Sequence, residues 1–70
     1  MYDYSELNGK MKSLHITQRE LADNIGISEV TLNKKLNNKS QFNQTEMKEI
    51  LKNINENLSE IVFYFYQEIK

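Results

Sequence analysis

Cysteine, proline and tryptophan are absent from this 70-residue chain, and glycine occurs only twice. Without cysteine there is no disulfide framework and no thiolate zinc site, which fits a reducing compartment. Without proline, and with so little glycine, long loops and turn-rich β architectures are disfavoured. No apolar run approaches the ~18 residues of a membrane span, and Met1-Tyr2-Asp3 does not read as the start of a signal peptide. A large charge of one sign is also missing: the formal net charge is -1. No global basic field therefore advertises a nucleic-acid partner. A chain of this length buries only about 60% of its unfolded surface, so one small domain over residues 1–70 is expected, cytoplasmic and soluble.

What is present is 39% hydrophobic residues, enough for one core, and a charge that is unevenly spread. Residues 1–45 hold six basic side chains (Lys10, Lys12, Arg19, Lys34, Lys35, Lys39) against five acidic ones, while 46–70 hold three against five. Between 30 and 45 there are three lysines and no acid. Screening confines each charge to about 8–10 Å, so this local excess matters more than the total.

Helical periodicity dominates. Tyr4, Leu7, Met11 and Leu14 make one amphipathic stripe. Thr17 with Glu20 forms a capping box that opens a second helix, which buries Leu21, Ala22 and Ile25 and stops at Gly26. Ser28 caps a third helix after one intervening residue and the helix runs to about Asn37, with Leu32 and Leu36 inward. So short a glycine turn forces two helices to cross steeply, the geometry of a helix-turn-helix. Phe42 plugs the core, Asn43 with Glu46 offers a second capping box, and Met47, Ile50, Leu51 and Ile54 form a fourth stripe. Ser59 reads as the cap of a fifth, short segment. The ending is open: Leu58, Ile61, Phe65 and Ile69 have helical spacing, whereas Phe63 and Phe65 alternate with Tyr64 and Tyr66 as in a strand. The expectation is an all-α, five-helix domain with a tail that is helical or extended.

The outer face of the third helix is the informative one. At 100° per residue from Ser28, Leu32 and Leu36 point inward at about 40° and 80°, and Lys34 lies opposite at about 240°. Val30 and Asn37 sit beside Lys34, with Asn33 and Thr31 at the flanks. Glu29, in the first turn, is the one carboxylate nearby, where the positive helix end offsets its charge. Lysine pairs with guanine O6/N7 or a phosphate, asparagine with adenine or the DNA backbone, and a valine methyl with thymine. Val30 packing instead against the second helix is the alternative. Lys35 points away and reads as structural. His15, the one histidine, reads as a loop residue rather than a ligand, and neither an acid/base pair nor a nucleophile is present, so no enzyme, cofactor, metal or small-molecule substrate is expected.

Thr17-Gln18-Arg19-Glu20-Leu21-Ala22, Ile25-Gly26-Ile27-Ser28, Thr31-Leu32 and Leu36-Asn37-Asn38-Lys39 together resemble the XRE-type helix-turn-helix of phage Cro proteins and repressors, with a lambda-repressor-like fold. The start Met1–Leu7 and the phrase Ser28–Asn37 are similar to a small phage-encoded regulator family of low-GC Gram-positive hosts. The resemblance covers roughly residues 1–62. It implies a homodimer that binds double-stranded operator DNA, with the third helix in the major groove. It further implies base contacts from Ser28, Glu29, Val30 and Lys34, and phosphate contacts from Gln18, Thr31, Asn37 and Lys39. The chain departs from the family pattern at Asn38, where glycine is usual, and in its acidic total charge. The expected function is transcriptional regulation, with a protein-binding modulator (an antirepressor or antitoxin-like module) as the rival. The expected dimer surface is the apolar run from Ile61 to Ile69, with Phe63, Phe65 and Tyr66 at its centre.

Overall fold

The structure, a computed structural model, describes residues 1–69. Five helices follow in order: α1 (Ser5–Ser13), α2 (Gln18–Ile25), α3 (Glu29–Leu36), α4 (Gln44–Asn53) and α5 (Ile61–Phe65), the last preceded by a 3₁₀ turn, Leu58–Glu60. The fold is all-α. Among the described residues, β pairing is confined to an isolated antiparallel bridge between Tyr2 and Glu68. No described helix is long and apolar enough to cross a membrane.

Capping sets the helix boundaries. Thr17 Oγ1 accepts from the Glu20 backbone N–H at 3.1 Å, and Glu20 Oε1 accepts from Thr17 N–H at 3.2 Å. Gly26 then ends α2 in the left-handed conformation, φ 78°, which costs a residue without Cβ nothing. Ser28 Oγ caps α3 by accepting from Thr31 N–H at 3.0 Å. Asn43 and Glu46 repeat the reciprocal box at the start of α4, with bonds of 2.7 and 2.9 Å. Each such cap contributes about 1 kcal/mol. Ser59 makes no cap: it lies inside the 3₁₀ turn, and neither that turn nor α5 has a side-chain cap.

Leu7, Leu21, Ala22, Leu32, Ile50, Leu51, Ile54 and Phe65 are sealed from solvent. α2 packs on α3 and α4, and α5 packs on α1 and α4. An aromatic cluster closes one end. Phe42 and Phe65 meet edge to face at 5.2 Å between ring centroids, and Tyr4 abuts Phe42 at 5.4 Å. Phe65 is therefore core and not a dimer contact, a correction of the sequence expectation. Its ring is consumed by Tyr4 and Phe42, leaving 1% of the residue exposed. Phe63 and Tyr66 remain open to solvent. Leu14 also departs from its stripe, because α1 ends beneath it and leaves it exposed.

The ambiguous tail is a short helix followed by a segment paired with the N-terminus, and the alternating residues Phe63–Tyr66 fall on the helix and its C-cap. It is helical as far as Phe65, burying Tyr64 and Phe65, whereas Leu58 and Ile69 stay exposed. Gln67–Ile69 then run extended beside Met1–Asp3: Asp3 N–H donates to Gln67 O at 2.6 Å and Ile69 N–H to Met1 O at 3.1 Å. The other side of the N-terminal segment is held by Asn38, the residue following the C-cap of α3. Its Oδ1 accepts from Tyr2 N–H and its Nδ2 donates to Tyr2 O, each at 2.8 Å. Asn38 itself has φ 62°. Asparagine tolerates that conformation, and here its amide acts as a strand partner.

Candidate nucleic-acid interface

Capping, the Gly26 turn and the Leu32 and Leu36 anchors leave one side of α3 facing water. Val30 is 65% exposed, so it does not pack on α2. Ser28, Glu29, Asn33, Lys34, Asn37 and Lys39 are all exposed, and Thr31 and Gln18 are half-buried. All eight sequence-selected interface residues therefore lie on or next to α3, or at the first position of α2.

Their chemistry is not uniform. Lys35, at about 340° on the wheel and so flanking the inward pair, reaches α4 and donates to both oxygens of Glu46 at 2.5 and 2.7 Å. Glu46 is buried and also closes the α4 capping box. The pair ties the last turn of α3 to the first turn of α4, and it neutralises one of the three lysines of the basic segment. Among the described residues, Lys34 and Lys39 have no ion-pair partner and carry the positive charge of this surface. Thr31 Oγ1 accepts from Ser28 Oγ at 2.8 Å. That spends the Ser28 hydrogen and leaves the Thr31 hydroxyl hydrogen free for an external acceptor.

Three amides form a row across the two helices. Asn37 Nδ2 donates to the Asn33 backbone carbonyl at 2.8 Å and to Asn33 Oδ1 at 3.2 Å. Asn33 Nδ2 in turn donates to Gln18 Oε1 at 3.2 Å. In the free protein Asn37 Nδ2 is thus engaged by Asn33, although both residues are exposed. Spacing of four residues gives Asn33 and Asn37 a common helix face, but nothing local in the sequence pairs Asn33 with Gln18, fifteen residues away.

Away from α3, Lys10 reaches Glu56 at 3.1 Å and the Tyr64 hydroxyl donates to the same Glu56 oxygen at 3.1 Å. These two bonds hold the Glu56 carboxyl below its ordinary range. Burial, with the Glu56 bond second, pushes the Tyr64 hydroxyl up. His15 sits exposed in the α1–α2 loop at φ 57°. Among the described residues, no three His, Asp or Glu side chains gather in a metal-binding cluster.

No curated protein matches this chain. A family model described as "Protein of unknown function (DUF739)" matches residues 1–68, nearly the whole length, and the chain belongs to that family.

Proposed function

We propose that this protein is a sequence-specific, operator-binding transcriptional regulator of the XRE/Cro helix-turn-helix kind, a binding protein rather than an enzyme. The observation that carries the reading is the solvent face of α3. A bare isopropyl group (Val30) stands in water beside an ammonium (Lys34) and two amides (Asn33, Asn37), with Glu29 the one carboxylate in the helix. A core has no use for that combination, and base edges in a major groove do: Val30 suits a thymine methyl, and Lys34 suits guanine O6/N7. Ser28, with acceptor capacity left, and Glu29 suit donors such as cytosine N4. Thr31, Gln18 and Lys39 suit phosphates. Cytoplasmic residence on the nucleoid follows from that role.

One helix covers few base pairs, and a net charge of -1 adds little general attraction, so the reading includes a homodimer. Two recognition helices about 34 Å apart would read a palindrome. Val62, Phe63 and Tyr66 are the exposed apolar residues of α5 and its C-cap, and with exposed Ile69 they are what the Ile61–Ile69 surface retains once Tyr64 and Phe65 are buried. Val62→Glu, at an exposed site, is expected to give a folded monomer with weaker operator binding. A sedimentation profile unchanged from wild type would place the interface elsewhere.

The same apolar residues favour the second reading, a modulator that binds another protein. Selection of bound duplexes from a random pool, followed by titration over a salt series, separates the two. An operator binder loses affinity with a log–log slope of about -0.9 per neutralised phosphate. Absence of duplex binding above background at low salt overturns the DNA reading.

A further inference from the structure

The amide row has a direction, and one backbone atom sets it. The Asn33 carbonyl oxygen can only accept, so the Asn37 atom at 2.8 Å from it must be the nitrogen. That nitrogen also faces an atom of the Asn33 side chain at 3.2 Å, which must then be the oxygen. The Asn33 nitrogen consequently faces Gln18, and the Gln18 atom it meets at 3.2 Å must be the carbonyl oxygen. Every amide in the row is oriented without an arbitrary choice. At the far end Gln18, its Oε1 engaged, is left with Nε2, two N–H donors that meet no acceptor among the described residues. At the near end Asn37 is left with Oδ1, an acceptor.

We propose that Asn33 is a positioning residue, which, with its polarity set by Asn37, holds Gln18 as an N–H donor toward a DNA phosphate oxygen. This rests on the DNA-binding reading above. A phosphate presents only acceptors, so an amide turned the other way would meet it oxygen to oxygen. Free in solution, a glutamine side chain samples both orientations and several rotamers. The row removes that freedom before the duplex arrives, as pre-organisation requires. It also places α3 and the start of α2 under one constraint, so that the phosphate bound at Gln18 fixes the register in which Lys34 and Val30 meet base edges.

The test uses the duplex selected by the wild-type protein, with each phosphate replaced singly by an uncharged methylphosphonate. Affinities are measured for wild type, Gln18→Ala and Asn33→Ala. Asn33 is exposed within α3, where alanine is a better helix former, so the variant keeps its fold; a thermal melt confirms it. One phosphate per half-site is expected at which neutralisation weakens the wild type about threefold to tenfold, the range of one hydrogen bond. Gln18→Ala should be insensitive there, and Asn33→Ala should lose most of that sensitivity although residue 33 does not itself touch the phosphate. Sensitivity at the other phosphates should be unchanged in both variants. Full wild-type sensitivity of Asn33→Ala at the Gln18-dependent phosphate overturns the proposal and leaves DNA binding standing. So does a Gln18→Ala profile that matches wild type at every phosphate. If the wild type enriches no duplex at all, the DNA-binding reading falls and this proposal with it.

Discussion

Replacing Asn38 by glycine is the substitution on which a local reading and the structure give opposite signs. Considered by backbone alone, glycine is the better residue at φ 62°, and relief of left-handed strain is worth at most about 1 kcal/mol for asparagine, which visits that region readily. Glycine also loses about 0.5–1 kcal/mol more chain entropy on folding, so the two backbone effects nearly cancel. The side chain then decides. Asn38 makes two hydrogen bonds of 2.8 Å to the amide and carbonyl of Tyr2. At about 0.5–1.5 kcal/mol net each, their loss comes to about 2 kcal/mol. For a domain of this size each kcal/mol moves the melting temperature by about 4–8 °C. Asn38→Gly is therefore expected to melt about 10 °C below wild type, and Asn38→Ala, which keeps the strain and loses the same bonds, lower still. Circular dichroism melts supply the numbers, and hydrogen exchange supplies the location: the Tyr2 amide should lose protection while the Leu32 and Leu36 amides change only with global stability. A glycine variant melting at or above wild type would show that the Tyr2 bonds carry no net stability, and the argument from the side chain would be refuted.

Asn38 also marks the limit of what the sequence discloses. Three caps, the Gly26 stop and the inward pair Leu32 and Leu36 are set by residues within four positions of one another, where periodicity and hydrogen-bonding chemistry act directly. Each is found where spacing alone places it. The elements that sequence reading left open or misplaced depend on partners far along the chain. Whether Phe65 lies inside or outside is decided by Tyr4 and Phe42. The partner of Lys35 is decided by how α4 docks on the end of α3. The tail leaves the helix after Phe65 and its last residues pair with Met1–Asp3, and no window on 61–69 contains that segment. The candidate interface divides the same way. The exposure of Val30, Asn33, Lys34 and Asn37 is legible from a helical wheel, while the donor and acceptor character of Gln18, Asn33 and Asn37 is not, because a tertiary contact between residues 18 and 33 fixes it.

Three further outcomes are expected. Lys35→Ala strands the buried Glu46 carboxylate and should cost about 3 kcal/mol, the low end for a buried pair stripped of one member; replacing both residues by apolar or neutral isosteres should cost less than the single change, and a chemical-denaturation cycle giving additive effects would refute the coupling. Because Lys10 and Tyr64 hold the Glu56 carboxyl below its ordinary value of 4.5, its contribution is present above that value and is lost as pH falls through the depressed one; Tyr64, raised above 10.0, contributes below that value and loses its contribution as pH rises through the raised one. Melts of Glu56→Gln should fall less steeply than wild type as pH drops below 4.5, and an identical slope would discount the cluster. The last outcome separates reading from anchoring on the proposed interface. Lys34 is opposite the core direction of α3, where an ammonium can reach a base edge, and Lys39 lies beyond the C-cap, its N–H bonded to Lys34 O at 2.9 Å, where the chain leaves the helix. Lys34→Ala should therefore relax preference at one base pair, with a loss of about 1–3 kcal/mol against the preferred duplex and little against others. Lys39→Ala should weaken all duplexes alike and flatten the salt slope by about 1. Two substitutions with the same profile across a duplex library would mean that both lysines serve the backbone, and that sequence is read by the uncharged residues of α3 alone.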